Sequence, residues 1–371
     1  MTLIGGMGSP VGGILIADMM ISSTRPTETP LSFPTMTIKP EQKTVQKKYY
    51  ISRLSVKITL LSRYVAVAYA GDVVLGRSMI RVLGEKLPEG LPDPVEFANY
   101  LETTINEYTE AERREVDLIC LCTFKTHFKL YYSKDCKVYQ KLSLCADIAA
   151  GGSGAESLLT TLGTANCIKE LQSFQFIEGA DPRPMLSQCI ETINNFATVH
   201  RWDELLSGTP AEEHYGGWYE IIISHQKGKD RWLERLQNMA FILVKLQEQN
   251  GVLTVEVNAQ VFFQTYIKDK LVIVRPGFKA VGIVPLEAPF YVHETGERMP
   301  SSDQSVSGLD IRIDASHIHV AYALVRSEET LKVGGKLLQC RPGTSAFTTN
   351  DEFEINIPAI VFTRLREVYY K

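Results

Sequence analysis

The chain has 371 residues, 44% hydrophobic and 22% charged, with 39 basic against 43 acidic side chains and a net charge of −4. That length predicts two domains, the composition predicts a sizeable buried core, and a chain dominated by disorder is excluded. The charge balance gives no electrostatic footprint for nucleic acid. Seven cysteines (Cys120, Cys122, Cys136, Cys145, Cys167, Cys189 and Cys340) form no CxxC pair. Neither a disulfide framework nor a zinc knuckle is indicated, and a reducing, cytoplasmic compartment is expected.

The opening MTLIGGMGSPVGGILIADMM lacks a basic head and places Asp18 inside its apolar stretch, so no secretory signal is expected there. No run reaches the roughly 18 apolar residues of a membrane span. VGGILIA at 11–17 reads as a buried strand, and the glycine-rich GGMGSPVGG at 5–13 follows no clear strand and lacks a Walker lysine, so no nucleotide site is expected. From 22 to 48 the sequence turns polar and carries Pro26, Pro30, Pro34 and Pro40, the signature of a long surface loop. LSVKITLL at 54–61 and YVAVAYA at 64–70 are the next strands.

Two helices follow. Asp72 caps the first, whose apolar residues Leu75, Met79, Val82, Leu83 and Leu87 keep helical spacing. Asp93-Pro94 with Glu96 opens the second, buried along Phe97, Leu101, Ile105 and Tyr108. Strands return at 117–124, 128–133 and 144–150, then helices from about 155 to 171 and 182 to 202, then a strand at 217–224. Paired helices between strand groups predict an antiparallel α+β fold, a four-layer αββα sandwich over residues 1–238. From 239 to 371 the runs are strand-like with turn residues between them, which predicts an all-β domain of sandwich or small-barrel type. Its many large residues, Phe262, Phe263, Tyr266, Phe347 and Tyr369 among them, predict a homo-oligomer interface in this half.

The chemistry starts at Thr2. With Met1 removed, an N-terminal threonine is a self-contained nucleophile: its own α-amine, of ordinary pKa near roughly 7.7–8.0, takes the hydroxyl proton. Asp18 closes the first strand, sixteen positions on, and Lys57 lies in the strand-like SVKIT. A lysine facing a core is costly unless paired, and a carboxylate is the obvious partner. Such a cation beside the threonine amine lowers the amine's pKa. Gly71, fourteen positions after Lys57, can offer a bare backbone N–H to an oxyanion. Ser153, in GGSGA after a strand, can cap the helix that follows.

In order, GGILIAD, VKIT, VAVAYAGD and IAAGGSGAESLL behind an initial threonine resemble the proteasome β-type N-terminal-nucleophile hydrolases, including the bacterial heat-shock-locus relative, over the first 225 or so residues. The resemblance implies Thr2 as nucleophile, Asp18 as support for Lys57, Lys57 as the tuning cation, Gly71 as oxyanion amide and Ser153 as a further site residue. It also implies a polypeptide or amide substrate and self-compartmentalised rings; no cofactor or metal is expected. The family's second aspartate and serine have two placements here, Asp203 with Ser207 or Glu212 with Tyr215. The proline-rich insertion and the β half have no counterpart in the family. A different class of function remains open beside the hydrolase: a catalytically silent scaffold whose C-terminal domain binds a partner. His317 and His319 alternate along one strand face with no third ligand nearby, so a plain strand is expected rather than a metal site. Cys120 and Cys122 are expected to be buried, inert thiols.

Overall fold

The structure, a computed structural model, describes residues 2–25, 31–32, 37–38, 50–87, 90, 93–139, 146–164, 190, 192–193, 196–197, 200–201, 215–236, 239–249, 252–267, 270–274, 282–285, 319–326 and 338–339. The chain divides into two compact units, Met1–Leu236 with Val284–Pro300 and Gln237–Ile283 with Ser301–Lys371.

The first unit holds two antiparallel sheets. One has six strands, in the order β11 (Lys137–Val138), β12 (Asp147–Gly152), β1 (Leu3–Gly8), β2 (Gly13–Asp18), β13 (Tyr219–Lys227) and β14 (Asp230–Arg235). The other has four, in the order β10 (Phe128–Tyr132), β9 (Val116–Thr123), β8 (Val65–Gly71) and β7 (Ile58–Ser62). The period-2 alternation of β8 decides its packing. Ala66, Ala68 and Ala70 join a core with Ile4, Leu15, Ala149 and Ile222 of the six-stranded sheet. Val65, Val67 and Tyr69 face the opposite way, against Met79, Leu83, Phe97 and Leu101. Those four belong to helices α1 (Val73–Lys86) and α2 (Pro94–Ile105), which begin where the sequence placed them: Asp72 accepts from Leu75 N–H, and Asp93 from Val95 and Glu96 N–H.

Several elements differ from the sequence reading. The glycine-rich opening, where the sequence showed no clear strand, is β1, a strand inside the six-stranded sheet, paired with β12 and β2. Its glycines answer to close approach: a Cβ at Gly8 would stand 2.6 Å from the Leu130 backbone nitrogen. The proline-rich insertion is not wholly loop either. β3 (Met20–Ser23) pairs with β6 (Tyr50–Leu54), and β4 (Leu31–Ser32) with β5 (Thr37–Ile38). A short helix, α3 (Glu110–Arg114), was not anticipated; Thr109 and Glu112 form its capping box. The charged DRWLER segment is β14, an antiparallel partner of β13. After β12, α4 (Ala155–Thr164) covers the expected helix as far as Thr164, and positions 190, 192–193, 196–197 and 200–201 are helical.

The described strands from Met239 onward make one six-stranded sheet, in the order β18 (Gly282–Pro285), β17 (Lys270–Val274), β16 (Val252–Ile267), β15 (Met239–Gln249), β19 (His319–Arg326) and β20 (Leu338–Gln339). β15 runs antiparallel to β16 but parallel to β19. Phe262, Phe263 and Tyr266 lie on β16, whereas Phe347 and Tyr369 fall outside the described residues. Among the described residues, no helix is long and apolar enough to cross a membrane. Cys120, Cys122 and Cys136 are buried free thiols, and the other four cysteines lie outside the described residues.

Candidate active site

β1 and β2 run antiparallel with Ile4 opposite Ala17, which brings Thr2 beside Asp18 at the end of β2. Asp18 has no exposure to solvent, Lys57 2% and Thr2 4%. Polar groups so deeply buried must satisfy one another. Asp18 Oδ1 accepts from Leu3 N–H at 2.7 Å, from the Thr2 hydroxyl at 2.8 Å and from Lys57 Nζ at 2.7 Å. Its Oδ2 accepts from Met20 N–H at 3.2 Å and Gly216 N–H at 3.0 Å. The carboxylate is thus fixed by five donors.

Lys57 does not sit inside a strand as SVKIT suggested. Residues 55–57 fall between β6 and β7, so the lysine hangs from an irregular segment just ahead of β7. Its ammonium meets three acceptors: Thr2 Oγ1, Asp18 Oδ1 and Met20 O, the last at 2.7 Å. Three N–H donors for three oxygens is the full valence of a lysine ammonium. Burial lowers the Lys57 pKa from its ordinary 10.5, and Asp18 opposes that shift by charge and hydrogen bond.

Ser153 is the other hand on Thr2. Its Oγ accepts from Thr2 N at 3.1 Å and donates to Thr2 O at 3.3 Å, while Gly154 N–H donates to the same carbonyl at 3.2 Å. The hydroxyl read as a helix cap is therefore engaged with the threonine. Gly152 precedes it at φ +78°, and a Cβ there would collide with the Thr2 carbonyl oxygen. Its N–H donates to Asp117 Oδ2 at 2.7 Å. Burial raises the Asp117 carboxyl above the ordinary 3.8, against the opposing pull of that N–H.

Gly71 ends β8 and lines a small cavity with Thr2, Lys57, Tyr69, Ile21 and Val73, of about 30 Å³ and so with room for about one water. All five residues singled out from the sequence come to this one corner. The two alternative aspartate–serine placements do not resolve: Asp203, Ser207 and Glu212 lie outside the described residues. Tyr215 is buried, its ring under Gly154, and the group next to it that reaches the site is the Gly216 N–H. The sequence reading missed Gly216, Met20 O, Gly154 and Asp117. Only Asp117, a charge opening an apolar strand, carried a legible signal. Of the two strand histidines, His319 opens β19 and His317 lies outside the described residues. No metal-binding cluster occurs among the described residues. A larger cavity of about 710 Å³ lies between α1, α2 and β8–β10 and contains none of the five.

No protein-family model matches this sequence, and no curated protein matches it. Among solved structures the chain is similar to the crystal structure of eukaryotic HslV from Trypanosoma brucei. Identity is 13%, 60% of this chain and 98% of that chain are covered, and the TM-score is 0.30.

Proposed function

We propose that residues 1–238 form a four-layer αββα N-terminal-nucleophile hydrolase domain and that Thr2, once the Met1–Thr2 bond is cleaved, attacks an amide or peptide carbonyl. The observation that supports this is the Thr2 hydroxyl held between Asp18 and Lys57 in a buried corner, with the Thr2 nitrogen on Ser153. A structural threonine in a strand needs neither a buried lysine nor a carboxylate with five donors.

The free α-amine takes the Oγ1 proton as Oγ1 bonds to the carbonyl carbon. The resulting oxyanion is met by the Gly71 N–H. Collapse breaks the C–N bond, and the ammonium returns its proton to the departing amine. The ester on Thr2 is then attacked by water, whose proton passes to the same amine; collapse breaks the Oγ1–C bond, the ammonium returns the proton to Oγ1, and the acid product leaves. Lys57 keeps the amine unprotonated by its charge and steadies Oγ1, while Asp18 fixes Lys57. Ser153 orients the amine.

The test combines intact mass with a panel of fluorogenic peptides and small-molecule amides. Chains beginning at Thr2 should cleave amide bonds, and Thr2→Ala should lower kcat by at least roughly 10³-fold. Undiminished cleavage by Thr2→Ala, or by chains that all retain Met1, would sink the reading. The ratio of peptide to small-amide turnover separates a protease from an amidase.

A further inference from the structure

We propose that Glu220 of β13 and Arg235 of β14 are the positioning residues for Lys57: together they grip both backbone groups of Ile58, the next residue in the chain. This rests on the reading of Thr2 as nucleophile. β7 is the edge strand of its sheet, and Ile58 lies on it opposite Ala68. An edge residue exposes its outward N–H and C=O to water, but Ile58 is completely buried. Those groups need partners. Glu220 Oε2 accepts from Ile58 N–H at 3.2 Å, and Arg235 Nη2 donates to Ile58 O at 2.8 Å. The two side chains are ion-paired, with Glu220 0% and Arg235 2% exposed. Both come from the six-stranded sheet, so the pair reaches across to the four-stranded one and takes the place of a missing strand.

The consequence for Lys57 follows from peptide geometry. Lys57 C=O and Ile58 N–H belong to one planar unit. The carbonyl end accepts from Tyr69 N–H at 3.1 Å, and the N–H end donates to Glu220. With that plane pinned at both ends, the Lys57 Cα and its Cα–C bond are fixed, and only rotation about that bond is left to turn the side chain. On the other side, Ser55 N–H donates to Met19 O at 2.8 Å and Ser55 Oγ accepts from Arg77 Nη2 at 3.0 Å. No strand pairing holds residues 55–57, so these anchors do. Closing an edge does not call for buried charge, since neutral amide side chains can meet a backbone N–H and C=O equally well. A rigid, charged clamp one residue from a lysine that must meet three oxygens is explained by placement.

The groups facing Lys57 are Asp18 from β2, the Thr2 hydroxyl, the Tyr69 backbone on β8 and, through Ser55, Arg77 of α1. The test uses the full chain carrying ¹³Cε-lysine and follows the Lys57 titration by NMR beside the pH profile of amide hydrolysis. In Glu220→Leu/Arg235→Leu, Lys57 should titrate closer to its ordinary 10.5, and kcat should fall about 10²-fold with KM little changed. Arg235→Lys, which keeps a cation within reach of Ile58 O, should behave as the wild type. Leu233→Ala, a core truncation on the same strand, should lower the melting temperature and move neither readout. If the double variant does not fold, Glu220→Ala/Arg235→Ala, which leaves room for water to meet the Ile58 N–H and C=O, carries the test with a shift in the same direction. Either folded double variant with an unmoved Lys57 titration overturns the proposal, as does an equal shift in Leu233→Ala. A wild type that hydrolyses nothing defeats the nucleophile reading, while the NMR titration still decides the clamp.

Discussion

Asp18–Lys57 and Glu220–Arg235 are both ion pairs at or below 3% exposure, yet they are put to different uses. Glu220 and Arg235 turn to a peptide backbone, the N–H and C=O of Ile58. Asp18 and Lys57 turn to a hydroxyl that a folded strand has no need to hold. Removing charges from water is costly, and mutual attraction in the interior offsets that cost only when the remaining donors and acceptors are also met. What a buried pair does with its remaining valence therefore tells its function. Glu220–Arg235 holds the backbone beside Lys57, and Asp18–Lys57 presents Thr2.

The difference can be broken most forcefully at Lys57. Lys57→Met leaves Asp18 buried without its cation, which should cost about 3–5 kcal/mol in denaturant unfolding. In the same variant kcat should fall by roughly 10³-fold, a loss that stabilising additives do not restore. Recovery of turnover alongside stability would mean that Lys57 serves only the fold. The Glu220–Arg235 variants come next, with a smaller loss of rate. The smallest effect belongs to Asp117, which holds Gly152 but no part of Thr2. Because burial raises its carboxyl above 3.8, the folded chain binds that proton more tightly than the unfolded chain. Its contribution to stability therefore falls as pH rises from 3.8 through the raised value, and at neutral pH the charged carboxylate works against the fold. Asp117→Asn keeps an acceptor for Gly152 N–H, so thermal melts across pH should show no loss at neutral pH and a flatter slope above 3.8.

The sequence made the outline of this corner readable because its parts carry local signals. Asp18 closes an apolar run, a lysine breaks another, and Asp72 and Asp93 stand where helix caps are needed. β1 was hidden because three of the six residues in LIGGMG are glycine, placed for backbone contact with neighbours distant in the chain. β14 was hidden for the opposite reason. DRWLER looks solvated, but Leu233 and Arg235 turn inward, and the partner that permits it, Glu220, lies in β13. A glutamate inside GWYEIIIS was the available clue. Gly216 and Met20 act through backbone groups, for which residue type carries no signal at all.

The most direct measurement is adduct mapping with a β-lactone, which acylates a nucleophilic hydroxyl. The wild-type chain and Thr2→Ala would be treated side by side, digested and sequenced by mass spectrometry. The account predicts one adduct, on Thr2, confined to chains that begin at Thr2 and absent from Thr2→Ala. Chains beginning at Thr2 that stay unmodified, or that are acylated elsewhere at the same rate in both proteins, would contradict it.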